Sequence, residues 1–495
     1  MQEKFTFIDL FAGIGGFKIA LSNIGGNCKG YSEINKDAIE TYCTNFQEQK
    51  ENNLGDITKI TALPDHDIMT AGVPCQSWSI AGKNLGFDDD RGQLWNDTIY
   101  LLQQSKPKAF IFENVKGLVD PRNKEALSHI LERIKEAGYH ANFHVVNSYD
   151  YGVSQNRVRV YIVGFKDKTY FDNFKLPNPL EKKVNLSDIL GIEMEKSKQL
   201  NVLQKDLFGE NIQTRSMSLS NKNGYNDYFL FNDLRNGHTT VHTWDILNTT
   251  TKQKEICYLL LKNRRKSKYG KLDGNPVSLN HFKLLDSSIT ENDLVELIEL
   301  KILKEIECIF GVDNVDKSEE HKLNDDELEL LTYAEDSKLS LDDLKTSRAI
   351  KLKKISITKT IASLSDKKII RCLEKRYDFK NGKISTGLFG VNRIFLPSSD
   401  TFPTLVASDT NDFIATKDIP HSRDYKKHFI EEIYRKQNYR KITKKEACLI
   451  QGFPADFTLP ESRARWMKLI GNSVSVPVIE MLINAIIDTG VIHKK

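Results

Sequence analysis

Cys75 stands directly after a proline in Ala71-Gly72-Val73-Pro74-Cys75-Gln76-Ser77-Trp78-Ser79. A thiol is the side chain best suited to covalent attack near neutral pH, because part of it ionises and the thiolate is strongly nucleophilic. Taken alone, a single cysteine is more often inert packing. Two other places carry chemistry. Glu113 closes the apolar run Ala109-Phe110-Ile111-Phe112, and an unpaired acid at the end of a buried strand is costly unless it has a partner or a task. Arg157 and Arg159 alternate with apolar residues in Gln155–Gly164, which predicts that both share one face of a strand.

The elements that must hold these groups read as an open α/β sheet. Asp67–Ala71 is a short strand running into a turn, and Pro74 stiffens the backbone where that strand ends. Strand ends are where such sheets gather ligands and catalytic groups. The chain opens with a strand, Phe5–Leu10, then Phe11-Ala12-Gly13-Ile14-Gly15-Gly16-Phe17 and a helical pattern through Leu21. Lys18 stands where the dinucleotide fingerprint needs its third glycine, so the turn suits an adenosine cofactor without phosphates. A second strand ends in Glu33, 17 residues beyond Gly16, the position of an acid that binds ribose hydroxyls or, equally, of a solvated capping residue. A third strand end is expected at Gly55-Asp56-Ile57, where Asp56 could accept from an adenine amino group or cap a turn. The glycine-rich polar run Ile80–Gly92 is expected to be a mobile loop, followed by a helix over Gln93–Gln104.

Composition sets the class. The chain has 495 residues, room for two or three domains, and a net charge of only +4, so any basic surface must be local. Seven scattered cysteines with no CxxC pair fit neither a disulfide framework nor a zinc site, and point to a reducing compartment. The N-terminus does not resemble a signal peptide, and no apolar run is expected to cross a membrane, so a cytoplasmic protein is expected.

Together these residues resemble the DNA cytosine-5 methyltransferases. Asp9–Gly16, Glu33 and Asp56 are similar to the cofactor motifs, and Pro74-Cys75-Gln76 to the catalytic motif. Arg91-Gly92-Gln93-Leu94, Glu113-Asn114-Val115 and Gln155-x-Arg157-x-Arg159 follow in order, then Gln451-Gly452-Phe453-Pro454 and Gly471-Asn472-Ser473-Val474. One such motif is weak, but seven or eight in the right order are very specific. The resemblance implies that Cys75 adds to cytosine C6, Glu113 bonds N3, Arg159 bonds O2 and Arg157 holds the local network. It implies S-adenosylmethionine, held by Asp9, Phe11, Gly13, Gly15, Gly16, Glu33, Ile34, Asp56, Ile57, Pro74, Leu94, Asn472, Ser473 and Val474. Double-stranded DNA would meet Gln76, Ser77 and Lys83 in the loop behind the thiol, with the target base flipped.

The fold implied is a discontinuous Rossmann-like S-adenosylmethionine-dependent methyltransferase domain plus a large α+β target-recognition domain. The boundaries read as 1–168 catalytic, 169–440 recognition with an inserted helical subdomain around 285–375, and 441–495 a return completing the catalytic domain. Within the middle, Lys262-Asn263-Arg264-Arg265-Lys266-Ser267-Lys268 is the sharpest basic cluster read from sequence. Lys262, Arg264, Arg265, Lys266 and Lys268 are candidate phosphate contacts, or a solvated helix end. Glu291–Cys308 reads as helical, as do parts of Ser337–Glu374. Thr443 and Glu446 predict a capping box. The function implied is sequence-specific DNA methylation by a monomer paired with a restriction endonuclease. The alternatives are a tRNA cytosine methyltransferase and an inactive DNA-binding regulator. A dehydrogenase is disfavoured by Lys18, and no acid/lysine metal set supports a fused nuclease.

Overall fold

The computed structural model describes residues 4–74, 90–191, 229–230, 244, 247–272, 274–313, 323–380, 382–383, 387–388, 393–399, 401–408, 412–419 and 424–492. Cys75, Gln76, Ser77 and Lys83 lie outside them. The chain divides into two compact units. The first joins residues up to 228 with 394–425 and 431–495; the second comprises 229–393 and 426–430.

The first unit is built on a six-stranded sheet of order β2-β1-β3-β4-β7-β5. Its strands are β1 (Phe5–Leu10), β2 (Gly26–Ser32), β3 (Ile68–Gly72), β4 (Ala109–Val115), β5 (His140–Asn147) and β7 (Val158–Phe165). β2, β1, β3 and β4 run parallel, which needs crossovers. The connecting helices include α1 (Gly16–Asn23), α2 (Lys36–Phe46), α3 (Asp90–Ser105) and, between β4 and β5, α4 (Lys124–Glu136). β7 is antiparallel to both β4 and β5. Strands covered on both faces read as continuous apolar runs, and Phe110, Ile111 and Phe112 are accordingly all buried. This is a Rossmann-like sheet with one antiparallel strand.

The end of the chain returns to this unit. Two-residue strands β6 (Gln155–Asn156) and β8 (Phe402–Pro403) pair in parallel. Helix α5 (Lys444–Gln451) starts with the expected box: Thr443 Oγ1 accepts from the Glu446 N–H, and the Glu446 carboxylate from the Thr443 N–H. Helices α6 (Arg463–Asn472) and α7 (Val476–Asp488) follow, with Pro477 in the first turn of α7. α7 packs on α1, the first helix of the chain. Contrary to the sequence reading, the stretch Arg463–Asp488 has the length and hydropathy of a membrane span, but 67% of its most apolar window is buried in the fold, as in a core helix.

The second unit carries an antiparallel sheet whose long strands, Leu303–Val312 and Ile370–Phe379, pair along their length. One apolar cluster, with Leu260, Phe282 and Leu297, packs at Leu303, Tyr377 and Phe379; another, with Leu330, Leu344 and Leu364, packs at Phe310 and Ile370. The helical reading of Glu291–Cys308 holds only to Glu299. Lys301 turns left-handed (φ 60°) and the chain continues as a strand. A short apolar run fits both periods, and pairing with Ile370–Phe379 decides it.

Candidate active site

The turn after β1 is strained. Phe11 (φ 54°), Gly13 (φ 57°) and Gly15 (φ 87°) are all left-handed. For Phe11 that costs on the order of 1–2 kcal/mol, and such outliers cluster at ligand sites. Ala12 donates to the Ser32 carbonyl at 2.9 Å, fastening the turn to β2. Gly15 and Gly16 are glycines for packing. A Cβ on Gly15 would lie 2.3 Å from the Phe46 ring, and one on Gly16 would lie 2.7 Å from Val474 Cγ2. Lys18, in place of a third glycine, pairs with Glu48 at 2.8 Å and lies over the Tyr42 and Phe46 rings.

Glu33 locks the turn to the end of β2. Its carboxylate accepts from the backbone N–H groups of Gly13, Ile34 and Asn35, each at 2.8 Å. Asn53 holds Glu33 from behind, accepting from its N–H at 3.0 Å and donating to its carbonyl at 2.8 Å. Asn53 was not singled out from sequence, because a lone asparagine in a turn carries no signal of its own. The expected third strand at residues 55–57 is absent. Only Asn53 bridges to Tyr31, and Asp56 caps a short 3-10 turn, accepting from Thr58 N at 3.0 Å.

Asp9 lies beneath the turn, fully buried. Its Oδ1 accepts from Thr70 Oγ1 at 3.1 Å, while Oδ2 has no hydrogen-bond partner among the described residues. Burial pushes its carboxyl up to about 7, against the bond from Thr70 and the charge of Lys18.

At the far side of the sheet, Gly72 of β3 is in register with Glu113 of β4, and Val115 with Arg159 of β7. Arg159 Nε meets Glu113 Oε1 at 3.1 Å, both side chains largely buried. Asn114 donates to the Val73 carbonyl at 3.2 Å, bracing the segment that leads through Pro74 into Cys75. Arg157 does not share this work. It sits in the break between β6 and β7, buried, and donates to the carbonyls of Leu405, Gly471 and Ser473. Gln155 bonds Gln451, and Gln451 bonds the same Ser473 carbonyl, each at 2.7 Å.

These elements enclose a cavity of about 330 Å³. Of the expected cofactor residues, Phe11, Gly13, Glu33, Ile34, Asp56, Ile57, Pro74, Leu94, Asn472 and Ser473 line it, together with Glu113, Arg157 and Arg159. Asp9, Gly15, Gly16 and Val474 do not; they support the turn from behind. Lys468 lines the mouth and was not read from sequence.

In the second unit, Arg264 is a correction. It is 2% exposed, and its guanidinium makes a bidentate pair with Asp378 at 2.9 and 3.0 Å, so it cannot reach a phosphate without breaking a buried ion pair. Lys262, Arg265, Lys266 and Lys268 are exposed. Lys266 bonds Asn263, and Lys268 lies over the Tyr269 ring.

A family model described as C-5 cytosine-specific DNA methylase matches residues 5–488. The Type II methyltransferase M.HgiBI of Herpetosiphon aurantiacus is 39% identical over 486 residues, 97% of this chain and 96% of its own. The Type II methyltransferase M.HpaII of Haemophilus parainfluenzae is 46% identical over 195 residues, 38% of this chain and 54% of its own. Among solved structures, the Entamoeba histolytica methyltransferase EhMeth aligns over 98% of this chain and 99% of its own, at 13% identity and a TM-score of 0.47. The fold and site define a methyltransferase. The chain belongs to the C-5 cytosine-specific DNA methylase family and is a DNA (cytosine-5-)-methyltransferase.

Proposed function

We propose that this enzyme methylates carbon 5 of one cytosine within a specific double-stranded DNA sequence, through a covalent Cys75 adduct, with S-adenosylmethionine as donor. We further propose that it is a Type II modification enzyme acting beside a cognate restriction endonuclease. The observation that carries the reading is a single cavity lined by the left-handed turn, by Pro74 and by the Glu113–Arg159 pair.

The residues fit the cofactor. Glu33 presents a fixed carboxylate to ribose hydroxyls, Ile34 offers an apolar side chain 71% exposed at the cavity for an adenine face, and no lysine or arginine of the turn itself prepares a pyrophosphate site. When bound, the sulfonium supplies an electrophilic methyl group with a good leaving group.

The chain's own groups then do the following. Cys75, as thiolate, adds to cytosine C6 and makes C5 enamine-like. The negative charge that develops on the ring falls on N3 and O2. Glu113, carrying a proton, hydrogen-bonds N3, and Arg159 bonds O2, the two reaching each other from adjacent strands two register positions apart. After C5 takes the methyl group, loss of the C5 proton and expulsion of Cys75 restore the aromatic ring. A base stacked and paired in a duplex cannot present C6 to an attacking thiol, so the target must leave the helix.

Bisulfite sequencing of DNA from a host expressing the chain tests this reading. Protection of one cytosine within one recurring sequence is expected. A map indistinguishable from that of a host carrying Cys75→Ser would overturn it.

A further inference from the structure

Residues 345–371 hold nine basic side chains, Lys345, Arg348, Lys351, Lys353, Lys354, Lys359, Lys367, Lys368 and Arg371, against one acid, Asp366. That local excess exceeds the net charge of the entire chain, which is +4. The segment forms three short helices, Leu341–Thr346, Arg348–Leu352 and Ile357–Asp366, and enters the strand Ile370–Phe379. The helices bury Leu344, Ile350 and Leu364 in one cluster with Phe310 and Ile370, and all nine basic residues are exposed.

Three of the nine are engaged: Lys353 with Glu329 at 2.8 Å, Lys367 with Glu327 at 2.7 Å, and Arg371 with Asp313 at 3.5 Å. Among the described residues, no ion pair joins Lys345, Arg348, Lys351, Lys354, Lys359 or Lys368 to a carboxylate. The cluster at 262–271 contrasts with this, since Arg264 is buried on Asp378 and Lys271 is paired with Asp343.

Two backbone positions sharpen the point. Lys354 (φ 57°) and Lys368 (φ 59°) are left-handed residues just past helix ends, where glycine is the usual occupant. The helix C-terminus favours a cation there, but the conformation itself is unfavourable for lysine. Leu352, 63% exposed between Lys351 and Lys353, adds an apolar contact within the basic surface.

We propose that this exposed basic segment of the second unit, centred on Arg348, Lys351, Lys354, Lys359 and Lys368, is a sequence-independent binding surface for the phosphate backbone of duplex DNA. The inference rests on the reading of duplex DNA as substrate, and it adds the part of the chain that grips the backbone rather than the bases. Neutralising phosphates releases counterions, so each contact adds about 0.9 to the slope of log K against log salt.

The test uses the full chain and a duplex containing its methylated sequence, with binding followed by fluorescence anisotropy between roughly 50 and 200 mM NaCl. The variant Lys351→Gln/Lys354→Gln/Lys359→Gln is expected to bind at least tenfold more weakly at the low-salt end. Its salt slope should be shallower by about 2–3, and its turnover at saturating DNA should be unchanged. Lys351→Glu/Lys354→Glu should weaken binding further, and an unaltered circular dichroism spectrum separates this from misfolding. Unchanged affinity and slope in both variants overturn the proposal while leaving the substrate reading intact. If the unaltered chain methylates no duplex at all, the substrate reading fails and this inference fails with it.

Discussion

The Arg157 guanidinium donates to the Ser473 carbonyl at 2.7 Å across 316 residues of sequence. The same side chain reaches Gly471 and Leu405, so one buried cation gathers three carbonyls of the returning chain onto the break before β7. Asn472, which lines the cavity, lies between two of the carbonyls it holds. Arg157 is therefore a positioning residue, and Arg159, two positions on, is the one that faces Glu113.

Arg157→Met keeps much of the side-chain volume and leaves three carbonyls without their donor. A loss of stability of about 2–4 kcal/mol follows, read as a lower denaturation midpoint. Cofactor affinity should fall on the order of tenfold, equivalent to about 1.4 kcal/mol, because the Asn472 turn loosens. Isothermal titration with S-adenosylmethionine measures it; unchanged affinity in a destabilised variant would reduce Arg157 to packing alone.

Asp9 sets a pH dependence of known sign. Its carboxyl ionises near 3.8 in an unfolded chain and near 7 in the fold. The folded state therefore holds the extra proton between those values, and the contribution of Asp9 is complete below about 4 and lost as pH rises toward 7. Asp9→Asn removes this loss. Relative to the unaltered chain, the variant should gain stability from pH 4 to 7, by up to about 1.4 kcal/mol per pH unit. Parallel plots of denaturation midpoint against pH for the two proteins would contradict the assignment.

Much of the site is legible in sequence because it depends on residue type at strand ends. Glu33, Glu113 and Arg159 need only a strand to carry them and an order along the chain, and periodicity supplies both. What escapes is the division of labour between look-alikes. Arg157 and Arg159 alternate as strand residues should, yet a one-residue break puts Arg157 outside β7 and turns it to the returning chain. Gly15 and Gly16 read as cofactor glycines, but the atoms that exclude a Cβ belong to Phe46 and Val474, remote in sequence. Arg264 reads as one of a basic cluster; its partner, Asp378, is 114 residues away on a strand that local patterning does not connect to it. The richer basic segment at 345–371 is diluted in sequence by its apolar residues, and only burial of Leu344, Ile350 and Leu364 separates the charged surface from the core.

The central claim is the covalent role of Cys75, and a mechanism-based trap tests it most directly. A duplex carrying 5-fluorocytosine at the methylated position cannot lose fluorine from C5, so the enzyme should stall as a denaturant-resistant protein–DNA adduct when S-adenosylmethionine is present. The adduct is expected with the unaltered chain and absent with Cys75→Ser. An adduct that survives in Cys75→Ser, or none from an enzyme that methylates the corresponding cytosine duplex, would contradict the account.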